Sequence, residues 1–351
     1  MLAGDNIELR NGLRLSIDWL SWTLSEPCTV EDAVSMMGYS RQDFQTLPSG
    51  RNGYKRQIRH GSYSVSVQYD GNEGMGIHVD VSGSAVSHVL SHFRASRMCD
   101  TPFGVLAYET SSLDFTVLCD FLSVVQASGH VTRIDVAIDD IGTNFYSLQD
   151  LYNVCVSGSY VSRFRNWKDF SSYSGGAVSG RTIYLGSRTS DIMLRVYDKQ
   201  LEQNVKLVSS GQPPLEYTWV RWELEIKKER AQQFVSRLLS GSSLADVSVG
   251  VLSNYLRIVE PDNPRKDRCT VSPVWARFVD GISGLTLYCP PPEKTLDDTK
   301  DWLTRQVAPS LAAVVIADGG ATDFIDSMLA DGSSRLKNRH RELIIREGMP
   351  V

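Results

Sequence analysis

Hydrophobic and polar residues alternate along several short stretches of the chain, and this period of two predicts β-strands. The first such stretch, "LRLSIDWLSWTL", covers residues 13–24. Three more follow as a meander bounded by Gly or Asp-Gly turns. The remaining predicted strands are 130–142, with strong β-branched character, a hairpin within 182–202, and a strand that begins near 217 and ends near Lys227.

Helical spacing predicts a smaller number of helices between these strands. Thr29 is suited to cap one helix, and others are predicted over 84–96, over 111–129 and after Lys227. Residues 143–180 look rich in loops. Because the strands outnumber the helices and occur in runs, we predict an α+β fold with a mostly antiparallel sheet and flanking helices. Helical patterns with Pro-rich breaks dominate later, which predicts two domains, 1–235 and a smaller helical one, 236–351.

Composition narrows the class of protein. The 351 residues are 42% hydrophobic and 22% charged, which is ordinary for a globular chain. The six cysteines are scattered without CxxC pairs, so neither a disulfide framework nor a structural zinc site is indicated. No signal-peptide pattern or membrane-length apolar run is evident. We therefore expect a cytoplasmic protein with no membrane contact.

The distribution of charge points to a nucleic-acid partner. The net charge is −5, yet residues 161–200 contain seven basic and three acidic side chains, interleaved with aromatic residues. Such a mixture suits a phosphate backbone with bases stacking nearby. A solvated basic hairpin is the alternative. The candidate DNA-binding residues are Arg163, Arg165, Lys168, Arg181 and Arg188.

Carboxylates and a histidine recur at a period of two on three predicted strands. Asp135 lies within an apolar strand, Glu223 precedes a second glutamate by two residues, and His78 precedes an aspartate by two. Buried carboxylates need a neutralising partner, and a divalent metal is one. The alternatives are an ion pair of Asp135 with Arg133 or Arg221, a solvated face for Glu223, and a structural role for His78.

The hairpin "TIYLGSRTSDIMLRVYDKQLE" carries the candidate nucleophile. Arg195, Tyr197 and Lys199 alternate on its second half and should share a face of the sheet. A tyrosine hydroxyl has an ordinary pKa of about 10 and needs activation. Flanking cations and a metal-polarised phosphate would favour attack by the phenolate on phosphorus. Tyr184 and Tyr173 are rival nucleophiles.

These segments together resemble a known family. The stretches "GIHVDVSG", "VTRIDVAIDD", the hairpin with its "YLGSR" and "RVYDK" runs, and "RWELE", in that order, are similar to the replication initiation factor family. Its members are rolling-circle initiators of plasmids and filamentous phages, and conjugative relaxases are related to them. The resemblance covers about residues 13–230, and "TLDDTKDWLTRQVAPSLA" resembles the C-terminal segment of phage-type members.

The resemblance implies a fold related to the HUH endonucleases and an enzyme that nicks and closes DNA in a bacterial host. A tyrosine would join the 5′ phosphate, leaving a 3′ hydroxyl as primer. The family's R-[IV]-Y-[ND]-K run falls on Tyr197, with Arg195 and Lys199 beside it. The His-hydrophobic-His motif of other HUH enzymes is absent here, since Val79 and Asp80 follow His78. The expected cofactor is Mg²⁺ or Mn²⁺, held by His78, Asp135 and Glu223.

The expected partner is DNA, as a double-strand origin that is single-stranded at the nick. A host helicase and a second copy of the chain are further candidate partners. The first alternative function is a relaxase that nicks a transfer origin. The second is a protein of the same fold that binds an origin or operator without cutting.

Overall fold

The computed structural model describes residues 12–98, 115–283, 296, 299–300, 303–336, 341 and 344. Contacts divide the chain into two compact units, Met1–Pro292 and Glu293–Val351. The first unit contains every strand found in the described residues. The candidate site therefore lies in this unit.

The first unit is built on one ten-stranded sheet. The strand order is β2-β3-β4-β5-β1-β6-β11-β10-β9-β8, and every pairing in the described part of the chain is antiparallel. A separate small sheet pairs β7 with β12. The strands are β1 (Leu13–Leu24), β2 (Phe44–Leu47), β3 (Arg56–His60), β4 (Val65–Tyr69), β5 (Ile77–Ser82), β6 (Gly129–Ile141), β7 (Tyr160–Ser162), β8 (Trp167–Ser174), β9 (Ala177–Leu185), β10 (Ile192–Asp198), β11 (Trp219–Lys227) and β12 (Leu256–Ile258).

In the described part of this unit, eight α-helices lie between the strands or follow them. Three of them begin with ordinary capping chemistry: Thr29, Ser147 and Ser243 each accept a hydrogen bond from a backbone N–H of the first turn. The helices are α1 (Val30–Met36), α2 (Ala85–Met98), α3 (Phe115–Ser128), α4 (Leu148–Ser157), α5 (Lys199–Ser209), α6 (Lys228–Leu239), α7 (Leu244–Tyr255) and α8 (Pro273–Ile282).

The two faces of the large sheet differ in chemistry, because successive strand residues point to opposite sides. On β10, Leu194 and Val196 belong to the buried core, and Trp222 and Leu224 continue that face on β11. Helices α2, α3, α4, α6 and α8 contact strands of the sheet. The opposite, polar face carries Arg195 and Tyr197, with Asp135 and Asp139 of β6 and Glu223 and Glu225 of β11.

A β-bulge in β1 adds one more charge to the polar face. The pairing of β1 with β6 shifts between Ile17 and Trp19, so Asp18 is the extra residue. Its carboxylate Oδ1 accepts a hydrogen bond from Nη1 of Arg221 at 2.6 Å. The charge in the middle of β1 is thus matched by an arginine two strands away.

Two sequence predictions of local structure need correction. Lys199 does not continue the strand; it is the first residue of α5, because the Asp198 side chain caps that helix by accepting from Leu201 N–H. Residues 143–180 are not mainly loop, since they contain α4, β7 and β8. Gly175 and Gly176 have the positive φ angles of 58° and 82° that a tight two-residue hairpin requires between β8 and β9.

The domain boundary also differs from the one predicted at 235/236. Leu244, Leu252, Trp275 and Phe278, from α7 and α8, belong to the same buried core as the sheet. The amphipathic helices after residue 236 therefore complete the first unit, which extends to Pro292.

The second unit, Glu293–Val351, is helical where it is described. It contains a π-helical segment, Leu303–Val307, followed by α9 (Ala308–Ala317) and α10 (Asp323–Ser334). Among the described residues of both units, no helix has the length and apolarity needed to span a membrane.

Candidate active site

Tyr197 lies near the end of β10 on the polar face, directly opposite Arg221 of β11. Its hydroxyl donates a hydrogen bond to Oε2 of Glu223 at 3.0 Å. Burial raises the pKa of this hydroxyl well above its usual range, although Arg221 acts in the opposite direction. Tyr197 is therefore a neutral phenol at rest, with a carboxylate placed to accept its proton.

Arg195 links two buried carboxylates beside the tyrosine. It is paired in register with Glu223, and its Nη2 forms ion pairs with Oε1 of Glu223 and, at 3.3 Å, with Oδ2 of Asp135. Its Nε is buried and has no hydrogen-bond acceptor among the described residues. A buried donor without an acceptor is costly, so this N–H is available to an anionic ligand.

Asp135 is fully buried and is neutralised by arginine. Arg133 binds it through Nε at 2.8 Å and Nη2 at 2.5 Å. Burial raises the pKa of Asp135, and the nearby Glu223 charge adds to this, whereas Arg133 and Arg195 oppose it. The ion pair with Arg133, which was the alternative to a metal role, is what the structure shows.

Two neighbours extend the network of charges. Nη2 of Arg133 also contacts Oε2 of Glu225 at 2.9 Å, and Lys227 Nζ contacts Oε1 of the same residue at 2.6 Å. Glu223 and Glu225 are only 1% and 5% exposed, so they do not form a solvated face. The carboxylates of β11 are part of the site.

On the other side of Tyr197, Arg221 and Asp139 form a second buried pair. Arg221 donates to Asp139 through Nε at 2.6 Å and Nη2 at 3.0 Å, and Arg14 and Trp219 donate to the same carboxylate. Burial opposes ionisation, but Arg221 and the other donors hold the pKa of Asp139 below its ordinary value. This fixed pair supports the β11 side of the tyrosine.

Lys199 reaches the site from the first turn of α5. Its Nζ lies 5.6 Å from the centroid of the Tyr197 ring and forms an ion pair with Glu202 at 2.8 Å. Burial and the proximity of Arg221 lower the pKa of Lys199. The predicted trio of Arg195, Tyr197 and Lys199 is thus brought together, although Lys199 approaches from a helix.

His78 lies in a different network, on β5. Its Nδ1 is 2.9 Å from the Thr23 hydroxyl and its Nε2 is 3.3 Å from Oδ1 of Asp80. Asp80 also accepts hydrogen bonds from Ser21 at 2.6 Å and Gln68 at 2.7 Å. Although burial opposes it, these hydrogen bonds and the His78 interaction lower the pKa of Asp80.

The predicted metal ligands are therefore only partly brought together: Asp135 and Glu223 share Arg195, whereas His78 lies in another network. Strand β1 separates β5 from β6, which places their backbones about 10 Å apart. Among the described residues, no group of three or more His, Cys, Asp or Glu side chains could hold a metal ion. Asp135 and Glu223 are instead neutralised by arginines, so the donor set does not fit the expected Mg²⁺ or Mn²⁺.

The predicted DNA-binding residues divide between the two faces. Lys168 of β8 is paired with Tyr184 of β9, which is paired with Arg195, so Lys168 lies on the polar face in line with the site. Arg188, just after β9, lies over the Tyr184 ring at 5.8 Å. Arg163 and Arg165 are exposed in the segment before β8.

Arg181 does not join this group. It alternates with Thr182 and Tyr184, so it faces away from Tyr197, and it binds Asp169 through two hydrogen bonds of 3.2 and 3.1 Å. The period of two along β9 could have excluded it from the sequence alone.

Sequence reasoning missed a cavity on the polar face beside the site. Phe170 and Tyr184 contribute rings to it, and Met193 lines it two residues before Arg195. The interleaving of aromatic and basic residues in 161–200 was the signal, but residues 143–180 were interpreted as loop.

Comparison with known proteins identifies the family. The profile described as "Replication initiation factor" (Rep_trans) matches residues 129–329, more than half of the chain. These residues include Asp135, Tyr197 and Glu223. The chain belongs to the replication initiation factor family.

Two relatives agree with this membership. A Bacillus subtilis (strain 168) protein described as "Putative DNA relaxase NicK" is 33% identical over 234 residues, which are 64% of this chain and 63% of that protein. The match thus spans somewhat less than two thirds of the relative's length. The structure of a rolling circle replication initiator protein from Geobacillus stearothermophilus aligns with a TM-score of 0.60 at 24% identity, covering 78% of this chain and 98% of that one. The mixed α/β fold with a large antiparallel sheet is therefore that of a known initiator.

Proposed function

We propose that this protein is a site-specific DNA nickase and strand transferase that initiates rolling-circle replication, with Tyr197 as its nucleophile. The observation that carries the proposal is the Tyr197 hydroxyl donating to the buried Glu223 carboxylate, in a member of the initiator family. Arg195 beside it offers an N–H without an acceptor in the described residues. These are the parts that transfer of a phosphoryl group to tyrosine requires.

The chemistry follows from the position of each group. Glu223 takes the phenolic proton as the Tyr197 oxygen bonds to phosphorus. The bond from phosphorus to the 3′ oxygen breaks, and that oxygen leaves as a 3′ hydroxyl after gaining a proton. Arg195 stabilises the charge that develops on the phosphoryl oxygens. The product is a 5′-phosphotyrosyl bond, and attack of a 3′ hydroxyl on it reverses the steps and closes a strand.

Nicking of supercoiled DNA that carries the protein's own gene region tests this function. Wild type should give nicked circles and protein attached covalently to DNA, and Tyr197→Phe should give neither. Tyr173→Phe and Tyr184→Phe are matched controls for the rival nucleophiles and should retain the adduct. Absence of both products with wild type would leave a DNA-binding protein that does not cut.

We also propose that nicking needs a divalent cation. No ligands are assigned to it, because the described side chains do not form a site for it. Loss of nicking in EDTA and recovery with Mg²⁺ or Mn²⁺ would establish the need. Full activity in EDTA would remove the cation from the mechanism.

A relaxase that nicks a transfer origin is the second candidate, favoured by the 33% identity to the described relaxase. The chemistry at Tyr197 would be the same. To separate a relaxase from a replication initiator, the regions on either side of the gene are cloned separately. Each is tested for nicking and for support of plasmid replication or transfer. A host helicase and a second copy of the chain are proposed partners, tested by co-purification and light scattering.

A further inference from the structure

We infer that the cavity beside the active site, on the β8–β9 edge of the polar face, binds an unpaired nucleobase of the strand that is cut. This inference rests on the proposed function, because it gives that site a second contact with the same DNA strand. The cavity has a volume of about 440 Å³, within the range of small-molecule sites. It is lined by Asn166, Lys168, Phe170, Tyr184, Gly186, Ser187, Arg188 and Met193.

The aromatic lining is the first argument. The rings of Phe170 and Tyr184 lie 5.6 Å apart, edge to face, and both line the cavity. Phe170 is 56% exposed, which leaves a large apolar ring in water near a polar site. Every base has a π face, and stacking on such rings is how proteins hold single-stranded DNA.

The charges of the lining are the second argument. Lys168 and Arg188 are exposed, and neither forms an ion pair with a carboxylate in the part of the chain that the structure describes. By contrast, the arginines around Tyr197 are all engaged by carboxylates. Two free cations at the rim suit the phosphates on either side of a bound base, and the Asn166 amide and Ser187 hydroxyl are suited to its polar edge.

The distance to Tyr197 is the third argument. Tyr184 pairs with Arg195, and Arg195 lies two residues from Tyr197 on β10, so the cavity begins about 7 Å along the strand from the nucleophile. A strand whose phosphate rests on Tyr197 passes next to this cavity. A base that has left its stack could therefore enter it while the phosphate is attacked.

The inference is tested by binding, without cleavage, in full-length Tyr197→Phe protein. The probes are fluorescein-labelled single-stranded oligonucleotides from the gene region, with one abasic site moved along the sequence, measured by fluorescence anisotropy. Phe170→Ala and Tyr184→Ala should each weaken binding of the intact probe by about tenfold. Tyr173→Ala, an aromatic residue of the same hairpin outside the cavity, should leave binding unchanged.

The abasic series gives the decisive result. At one position, an abasic site should weaken binding to Tyr197→Phe protein. The same abasic site should cause no further loss when Phe170→Ala or Tyr184→Ala is also present, because the contact between base and cavity is then already lost. Additive losses at every position would overturn the inference. If that coupling is present but wild type never nicks, the cavity stands and the nickase proposal fails; if nicking occurs without coupling, only the cavity fails.

Discussion

Two parts of the polar sheet face, one around His78 on β5 and one around Tyr197 on β10, neutralise their carboxylates in different ways. Around His78, Asp80 is satisfied by hydrogen bonds from a serine, an amide and the histidine. Around Tyr197, Asp135 and Glu223 are held by arginines, and one arginine N–H has no acceptor in the described residues. In the first network the hydrogen bonds are made within the network, whereas the second has a donor available for an incoming phosphate. This difference, and not the presence of acidic residues, distinguishes the proposed site of chemistry.

The largest expected effect comes from removing the proposed base. Glu223→Gln keeps the shape of the side chain but cannot take the phenolic proton, so adduct formation should slow by about 10²–10⁴-fold. The rate is measured on supercoiled DNA in single turnover. Asp80→Asn, the equivalent change in the other part, should keep the wild-type rate. Equal losses in both variants would mean that the two parts do not differ as described.

The next effect concerns stability. Arg195→Gln leaves Glu223 and Asp135 buried with one cation fewer, and breaking such a pair costs about 3–5 kcal/mol of unfolding free energy. Urea denaturation measures it. The control is Arg188→Gln, an exposed arginine of the same face, which should change stability by less than about 0.5 kcal/mol. A similar, small change in both variants would show that the Arg195 ion pairs contribute little.

A smaller effect separates the two parts by pH. The pKa of Asp80 is lowered in the folded protein, so its hydrogen bonds stabilise the fold above the ordinary value of 3.8 and lose that contribution as the pH falls through the lowered value. Asp80→Asn should therefore cost about 1.5–3 kcal/mol at pH 7 and progressively less in acid. The unfolding free energies of wild type and Asp80→Asn are compared from pH 7 down into acid. A cost independent of pH would contradict the ionised state of Asp80.

The smallest effect is expected at His78. His78→Gln should leave the nicking rate unchanged, because His78 contacts Thr23 and Asp80 and not the carboxylates beside Tyr197. Its cost in stability should be about 1–2 kcal/mol, that of its two hydrogen bonds. Loss of nicking with normal stability would restore His78 as a ligand of the expected cation. The effects of His78→Gln on nicking and stability are compared with those of Asp135→Asn, which lies in the site beside Tyr197.

Much of the fold could be predicted from the sequence, because period-two alternation identified β1, β5, β6, β10 and β11 with nearly correct bounds. The hairpin also placed Tyr197 and Arg195 on one face. Local patterns could not show that Asp198 caps a helix and moves Lys199 off the strand. Nor could they show that α7 and α8 return to the core of the first unit.

The site was harder to predict because partners across strands depend on register. Asp135 and Glu223 were correctly grouped, since both lie on the polar face of neighbouring strands. His78 has the same period, but β1 lies between it and Asp135. Which cation neutralises a buried carboxylate is a matter of three-dimensional distance, and Arg133 and Arg195 could be recognised as those cations only from the structure.

The position of Tyr197 within a paired strand limits how the proposed reaction could proceed. Its backbone is fixed between β9 and β11 by Thr182 and Arg221, and its hydroxyl is fixed by Glu223. A residue held in this way has little freedom to travel towards its target. In the proposed reaction the DNA would therefore have to move: its backbone would bend until the scissile phosphate meets a stationary tyrosine. Duplex that is already melted or strained by supercoiling should then be the preferred substrate.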